Sequence, residues 1–242
     1  MDKDRHHDFL NPLPSHRFDN FLPRRAILNA LVEQLPKFAG VLLDIGCGQM
    51  PYKSILVAPP SRVTKYIGLD MPDGQYGKMG PFDLNWNGQI IPLEDNSIDC
   101  AIMTEVLEQC PAPENIMREA ARVLKPDGIL FFTVPFLWPV HDPPLDQYRF
   151  TPYALERHLR NAGFVNVELK MPGGWDRSLA QMIAVWVGRR PMRRPYRALL
   201  KMIALPVVHL LTALDKPPSP EHFHGTMMIT GISGTAVKGN RR

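Results

Sequence analysis

Val41-Leu42-Leu43-Asp44-Ile45-Gly46-Cys47-Gly48 is a short apolar run that meets a carboxylate and then a glycine-rich turn. Such a run reads as a buried parallel strand. The two glycines let the chain turn tightly and bring backbone N–H groups close to a ligand. A dinucleotide-binding turn would carry a third glycine, in the spacing G-x-G-x-x-G, and would aim a helix N-terminus at a pyrophosphate. Pro51 occupies that third position here. Asp44 also adds a negative charge at the strand mouth, which repels a pyrophosphate and attracts a ligand bearing an ammonium or a sulfonium.

A second acid falls where a nucleoside needs it. Lys65-Tyr66-Ile67-Gly68-Leu69-Asp70 reads as the next strand and again ends in a carboxylate. Asp70 follows the glycine turn by roughly the 20 residues expected of an acid that accepts hydrogen bonds from a ribose diol. Neither feature is specific alone; their order and spacing are.

Further motifs follow: Asp99-Cys100-Ala101-Ile102-Met103-Thr104-Glu105-Val106-Leu107-Glu108, then Ala121-Arg122-Val123-Leu124-Lys125-Pro126-Asp127-Gly128 before an apolar strand. Together with Asp44–Cys47 and Gly68–Asp70, these resemble the successive motifs of the class I S-adenosylmethionine-dependent methyltransferases, small-molecule branch. The resemblance runs from about Val41 to Phe136 and continues through Gly163-Phe164. It implies a doubly wound, mostly parallel seven-stranded α/β sheet of Rossmann-like methyltransferase type, with S-adenosyl-L-methionine as cofactor. It also implies roles. Asp44 stands near the cationic methionine end of the cofactor, with Gly46, Cys47 and Gly48 close against it. Asp70, with Met71 beside it, takes the ribose. Asp83 and Leu84 meet the adenine. Thr104, Glu105 and Leu107 line the methionine and acceptor side, with Glu105 in a supporting role.

Two departures matter. The family's further glycine falls at Met50. The family segment E-V-L-E-H reads Glu105-Val106-Leu107-Glu108-Gln109 here, so its histidine is replaced by an amide that takes up no proton. The nearest substitute base is His141, with Asp142 beside it, after the fifth strand at the sheet edge where open α/β sheets bind ligands. Tyr148 and Arg149 are placed to orient an acceptor, and Arg149 would suit a carboxylate or phosphate on it. The run His141–Pro144, then Tyr148–Pro152, is similar to members of that branch among surface-polysaccharide enzymes. Hence the expected acceptor is a small molecule or a glycan- or lipid-linked one, methylated at oxygen. A non-catalytic methyltransferase-like module serving a membrane-associated biosynthetic assembly is the alternative. Nucleic acid is not expected, because the basic cluster lacks interleaved aromatics. No metal is expected either: His222 and His224 have no third ligand nearby in the chain.

At 242 residues, 45% hydrophobic and 21% charged, the chain suits one folded domain. Its net charge of +4 is uneven, with Arg189, Arg190, Arg193, Arg194 and Arg197 in one stretch. Three cysteines without a framework suggest reduced thiols and a cytoplasmic protein. Residues 1–20 read as a loose arm and 21–242 as the methyltransferase domain. Expected elements are a helix from Pro23 to Leu35, strands Ser97–Met103, Ile129–Val134 and Val165–Lys170, helices Pro113–Leu124 and Pro152–Ala162, a loop from Asp73 to Lys78, and a final strand Thr226–Ile232. An insertion at about 176–218 interrupts the rhythm. Its helices, Ser178–Val187 and Tyr196–Leu214, are either a lid over the substrate cleft or a peripheral membrane contact through 189–214. Lys201, Pro206 and His209 argue against a span. Oligomeric state is not legible.

Overall fold

A computed structural model describes residues 9–15, 17–72, 82–218 and 227–240. Seven strands form one sheet: β1 (Ala39–Ile45), β2 (Arg62–Asp70), β3 (Leu84–Asn85), β4 (Ile98–Thr104), β5 (Leu124–Pro135), β6 (Phe164–Lys170) and β7 (Gly231–Lys238). Their order is β3-β2-β1-β4-β5-β7-β6. β1 pairs in parallel with both β2 and β4, and β2–β3 and β4–β5 are parallel too. The doubly wound α/β architecture is thus present, and the helical insertion lies between β6 and β7 as expected.

The apolar run Val41–Ile45 lies in an inner strand of this sheet. Leu42, Leu43 and Ile45 are fully buried in β1, as are Ala101, Ile102 and Met103 in β4. The leucine, isoleucine and methionine side chains each contribute about 1.5–3 kcal/mol when removed from water. Register then carries the chemistry: Asp44 stands beside Gly68 on one flank and Ile102 on the other. Strand order turns back between β1 and β4, so the carboxyl ends of these two strands flank the switch point where open sheets hold ligands.

Helices follow their local signals. α1 (Phe21–Gln34) and the four-residue α2 (Lys53–Leu56) flank β1 in sequence. α3 (Pro113–Val123) starts on a proline and buries Ile116, Met117, Ala120 and Val123 on one face. α4 (Pro152–Asn161) is capped by Thr151, whose hydroxyl accepts from Ala154 N at 3.3 Å. The insertion forms α5 (Trp175–Arg189) and α6 (Arg194–Leu214), each longer than its periodicity alone suggests.

Two compact units can be described separately. The larger falls within Ala30–Pro135, Pro139–Leu169 and Ser233–Arg242; the smaller falls within Met1–Asn29, Phe136–Trp138 and Lys170–Ile232. In the smaller unit Phe18, inside the stretch read as an arm, is buried with Phe21, Leu22, Ala184 and Val208. Residues 1–8, the loop Asp73–Lys78, and His222 and His224 lie outside the described residues.

One expectation fails. The last strand is Gly231–Lys238, not Thr226–Ile232. The expected span takes in the apolar Met-Met-Ile run, whereas the strand is Gly-Ile-Ser-Gly-Thr-Ala-Val-Lys, with Ser233 and Thr235 buried among its neighbours. A Cβ on Gly234 would meet Phe132 Cζ at 2.7 Å, so close packing requires glycine where a strand pattern asks for bulk.

Candidate cofactor and acceptor site

The turn after β1 is held by its neighbour strand. Gly46 N and Cys47 N both donate to Leu69 O, at 2.8 and 3.1 Å. Gly46 has φ +70°, and a Cβ there would fall 2.6 Å from Val106 Cγ2, so only glycine fits. Asp70 closes the loop: its Oδ2 accepts from Gly48 N at 2.5 Å and its Oδ1 from Met71 N at 2.7 Å. Each oxygen keeps a lone pair for a ribose hydroxyl. Asp83 also engages backbone, with Oδ2 accepting from Gly68 N at 2.7 Å, and Leu84 starts β3. The carboxylate expected to meet adenine therefore also ties β2 at its outer flank.

Met50, where the family has glycine, takes φ +53°. A left-handed non-glycine residue carries roughly 1 kcal/mol of strain. In return, the chain there brings the Met50 and Cys47 sulfurs against Gly68, where a Cβ would sit 3.0 Å from each. Burial pushes the Cys47 thiol pKa up, which keeps it protonated and unreactive.

Asp44 is the most informative group. It is buried, Tyr66 donates its hydroxyl to Oδ2 at 2.5 Å, and Oδ1 has no hydrogen-bond partner among the described residues. Burial raises its pKa from 3.8 to about 7; the Tyr66 hydrogen bond opposes this and the charge of Asp70 adds to it. The anion expected at this strand mouth is therefore conditional: without a cation beside it, burial favours the protonated carboxyl far above the ordinary carboxylate range.

Past β4, Thr104 pairs in register with Thr133, and Glu105 adopts φ +57°. Glu105 N donates to Thr133 O at 3.1 Å, while its Oε1 accepts from the Thr133 hydroxyl at 2.8 Å. This agrees with a supporting role, pinning the end of β4 to β5. Leu107 is buried in the turn Leu107–Gln109. Beside it lies Glu108, wholly buried, with neither carboxyl oxygen hydrogen-bonded among the described residues. Desolvation, the neighbouring Glu105 and Asp146 all push the Glu108 pKa well up, against the pull of Arg149. Glu105 is pushed up as well, mainly by loss of water.

The acceptor-side loop holds itself together. Arg149 makes a two-pronged contact with Asp146, at 2.6 Å to Oδ1 and 2.8 Å to Oδ2. His141 lies against the same carboxylate, with Nδ1 3.1 Å and its backbone N 3.0 Å from Oδ2. Arg149 and the His141 backbone hold the Asp146 carboxyl below its usual range. The Tyr148 hydroxyl donates to Pro111 O at 3.0 Å, and its ring stacks on Phe150. Asp142, read as the partner of His141, sits at φ +48° next to it, but the carboxylate that meets the imidazole is Asp146. The sequence alone assigns no role to Asp146 or Glu108. The Asp146-x-x-Arg149 spacing was the one available clue to the first, and an acid within an apolar turn the clue to the second.

Residues 43–132 match the family model described as a methyltransferase domain. A thiol S-methyltransferase of Mus musculus is 25% identical over 134 residues, 51% of this chain and 55% of that protein. The chain spans about half the length of the curated relatives it matches. Among solved structures, a SAM-dependent methyltransferase from Thermotoga maritima superposes with a TM-score of 0.58 at 17% identity, covering 98% of this chain and 95% of that one. A phosphoethanolamine N-methyltransferase from Haemonchus contortus, in complex with S-adenosylhomocysteine, gives 0.52 at 12% identity over 97% and 60%. The sheet order, and the match over residues 43–132, make this chain similar in fold and in its central segment to the class I S-adenosylmethionine-dependent methyltransferases.

Proposed function

We propose that the protein transfers a methyl group from S-adenosylmethionine to an oxygen of a small-molecule, glycan-like or lipid-linked acceptor. The observation that carries this reading is Asp44: a buried carboxyl with one unpartnered oxygen, beside a turn that only glycine can make. Such a group suits a ligand that brings a positive charge into a dry site, since the charge favours ionised Asp44 and satisfies Oδ1. Asp70 would bind the ribose diol, Asp83 and Leu84 the base, and Thr104 and Leu107 the methionine side.

The cofactor supplies, when bound, an electrophilic methyl on a sulfonium. The chain's own work is to hold and orient, and proximity of this kind lowers the barrier by several kcal/mol. His141 would accept the acceptor's hydroxyl proton. Its Nδ1 lies 3.1 Å from Asp146 Oδ2 without a hydrogen bond among the described residues, so the carboxylate would support the proton-accepting ring through its charge. Arg149 then acts as a positioning residue, fixing the carboxylate that fixes His141. Free Cys47, Cys100 and Cys110 support a reducing, cytoplasmic setting.

The rival reading, a non-catalytic module, is favoured by one feature: Tyr148 and Arg149 both already have partners inside the chain. Two measurements separate them. Calorimetry should show S-adenosylhomocysteine binding, and tritiated methyl from labelled cofactor should enter the glycan, lipid or small-molecule fraction of a cell extract. Binding without transfer to any fraction leaves the module. Absence of binding removes both the cofactor and the site.

A further inference from the structure

The smaller unit contains a helical hairpin whose sides behave differently. α5 and α6 pack against each other and are joined by four residues, 190–193. Asp215, just past α6, accepts from Gly174 N and Arg177 N at 3.0 and 2.9 Å, so the end of α6 caps the start of α5 and closes the hairpin. On one side Ala180, Ala184, Val187, Ala204 and Val208 are buried around Phe18 and Phe21.

The other side is apolar and exposed among the described residues. On α6 the exposed stripe is Tyr196, Leu199, Ile203, Val207, Leu210 and Leu214, a spacing of three and four residues. On α5 it continues through Trp175, Leu179, Met182 and Trp186. Trp175 is 64% exposed and Met202 67%. Between Pro195 and Leu214, His209 is the only exposed residue that is not apolar or aromatic. Lys201 does not interrupt the stripe: its ammonium donates to Ser15 O at 3.3 Å and stacks over Phe18.

Charge identifies what this face meets. Residues 175–214 carry seven Lys/Arg against one Asp; Arg177, Arg189 and Lys201 turn to Leu22 O, Asp19 and Ser15 O, which leaves Arg190, Arg193, Arg194 and Arg197 around the joint between the helices. Arg193 and Arg194 are exposed at the joint between the helices. A second copy laid on this face would bring like charge to like charge. An anionic bilayer offers both things the hairpin lacks, hydrocarbon for the stripe and phosphates for the arginines. Trp175, Trp186 and Tyr196 are the aromatic types that settle at that boundary. α6 is long and apolar enough to cross a membrane by length and composition. Yet Ala204 and Val208 are buried against the unit's own core, so lipid cannot surround the helix.

We propose that the exposed face of the α5–α6 hairpin rests in the interface of an anionic lipid membrane, parallel to its plane, with the arginines at the headgroups.

The test uses the full chain and vesicles of phosphatidylcholine with or without phosphatidylglycerol. Flotation with the anionic vesicles at low salt, a blue shift of tryptophan emission on binding, and release by added salt are expected. Met202→Glu combined with Leu210→Glu should reduce partitioning at least tenfold. Both positions are exposed, so thermal unfolding and S-adenosylhomocysteine binding should stay as in the parent. Arg193→Ala and Arg194→Ala should each weaken anionic binding about fivefold. The inference is overturned if the protein stays in the aqueous fraction with both vesicle types. It is equally overturned if the chain forms a concentration-dependent dimer that the double Glu variant splits while vesicles are ignored. Flotation by a chain that binds no cofactor would sink the methyl-transfer reading and leave the membrane face standing.

Discussion

At and just beyond the carboxyl ends of the inner strands β1 and β4, Asp44 and Glu108 hold carboxyl oxygens out of water with no hydrogen-bond partner among the described residues. Along the hairpin, Met202 and Leu210 hold apolar side chains in water, at 67% and 59% exposure. Each arrangement is unfavourable in the isolated chain, the first by about 1–3 kcal/mol per unsatisfied group and the second by about 25 cal/mol per Å² of exposed apolar surface. Opposite violations imply opposite ligands. A dry carboxyl calls for something cationic and small enough to enter; a wet apolar face calls for something apolar and broad.

The comparison breaks most readily at Asp70. Asp70→Ala removes the carboxylate that holds Gly48 N and Met71 N, and should weaken S-adenosylhomocysteine binding by about 100-fold, judged from losses of hydrogen bonds to charged groups. Unchanged affinity by calorimetry would remove the ribose assignment.

The two faces of α6 give the next contrast. Val208→Ala, at a fully buried position, should cost about 2 kcal/mol in chemical denaturation. Leu210→Ala, two residues on, should stay within about 0.5 kcal/mol in the absence of lipid. Equal losses would mean the exposed stripe is covered in solution.

Asp44 sharpens the other half. Its folded pKa of about 7 exceeds the ordinary 3.8, so its contribution to stability is complete below about pH 4 and is lost as pH rises through 7. Cofactor binding should run the opposite way, tightening by up to about tenfold per pH unit below pH 7 if Asp44 ionises on binding. Asp44→Asn should flatten both slopes. A binding profile of the same shape in the variant would mean that Asp44 does not answer the ligand's charge.

The smallest effect is at Met50. Met50→Gly relieves the φ +53° strain and should raise stability by no more than about 1 kcal/mol, the lost contacts over Gly68 offsetting part of it. A large destabilisation would show that the sulfur packing matters more than the backbone.

Most of the sheet was legible because burial on both sides leaves continuous apolar runs with glycine or acid at their ends, as in Val41–Gly48 and Lys65–Asp70. β7 was not, because Gly231–Lys238 owes its place to close contacts rather than to apolar bulk. In the site, Asp44, Gly46, Gly48 and Asp70 could be read one by one, since each acts through its own backbone position. The partnership of His141 could not. Asp142 is its neighbour along the chain, but the left-handed backbone at Asp142 and the Arg149 fork make Asp146 its neighbour in space.

Local order along the chain thus determined the strand–turn–acid pattern, the amphipathic period of α5 and α6, and the basic joint between them, because these depend on spacing alone. Tertiary structure decided which carboxyls are dry, which imidazole faces which acid, and which side of each insertion helix is left uncovered. Those outcomes depend on what other segments bring alongside, and desolvation and pairing are properties of a neighbourhood that no single stretch of chain contains.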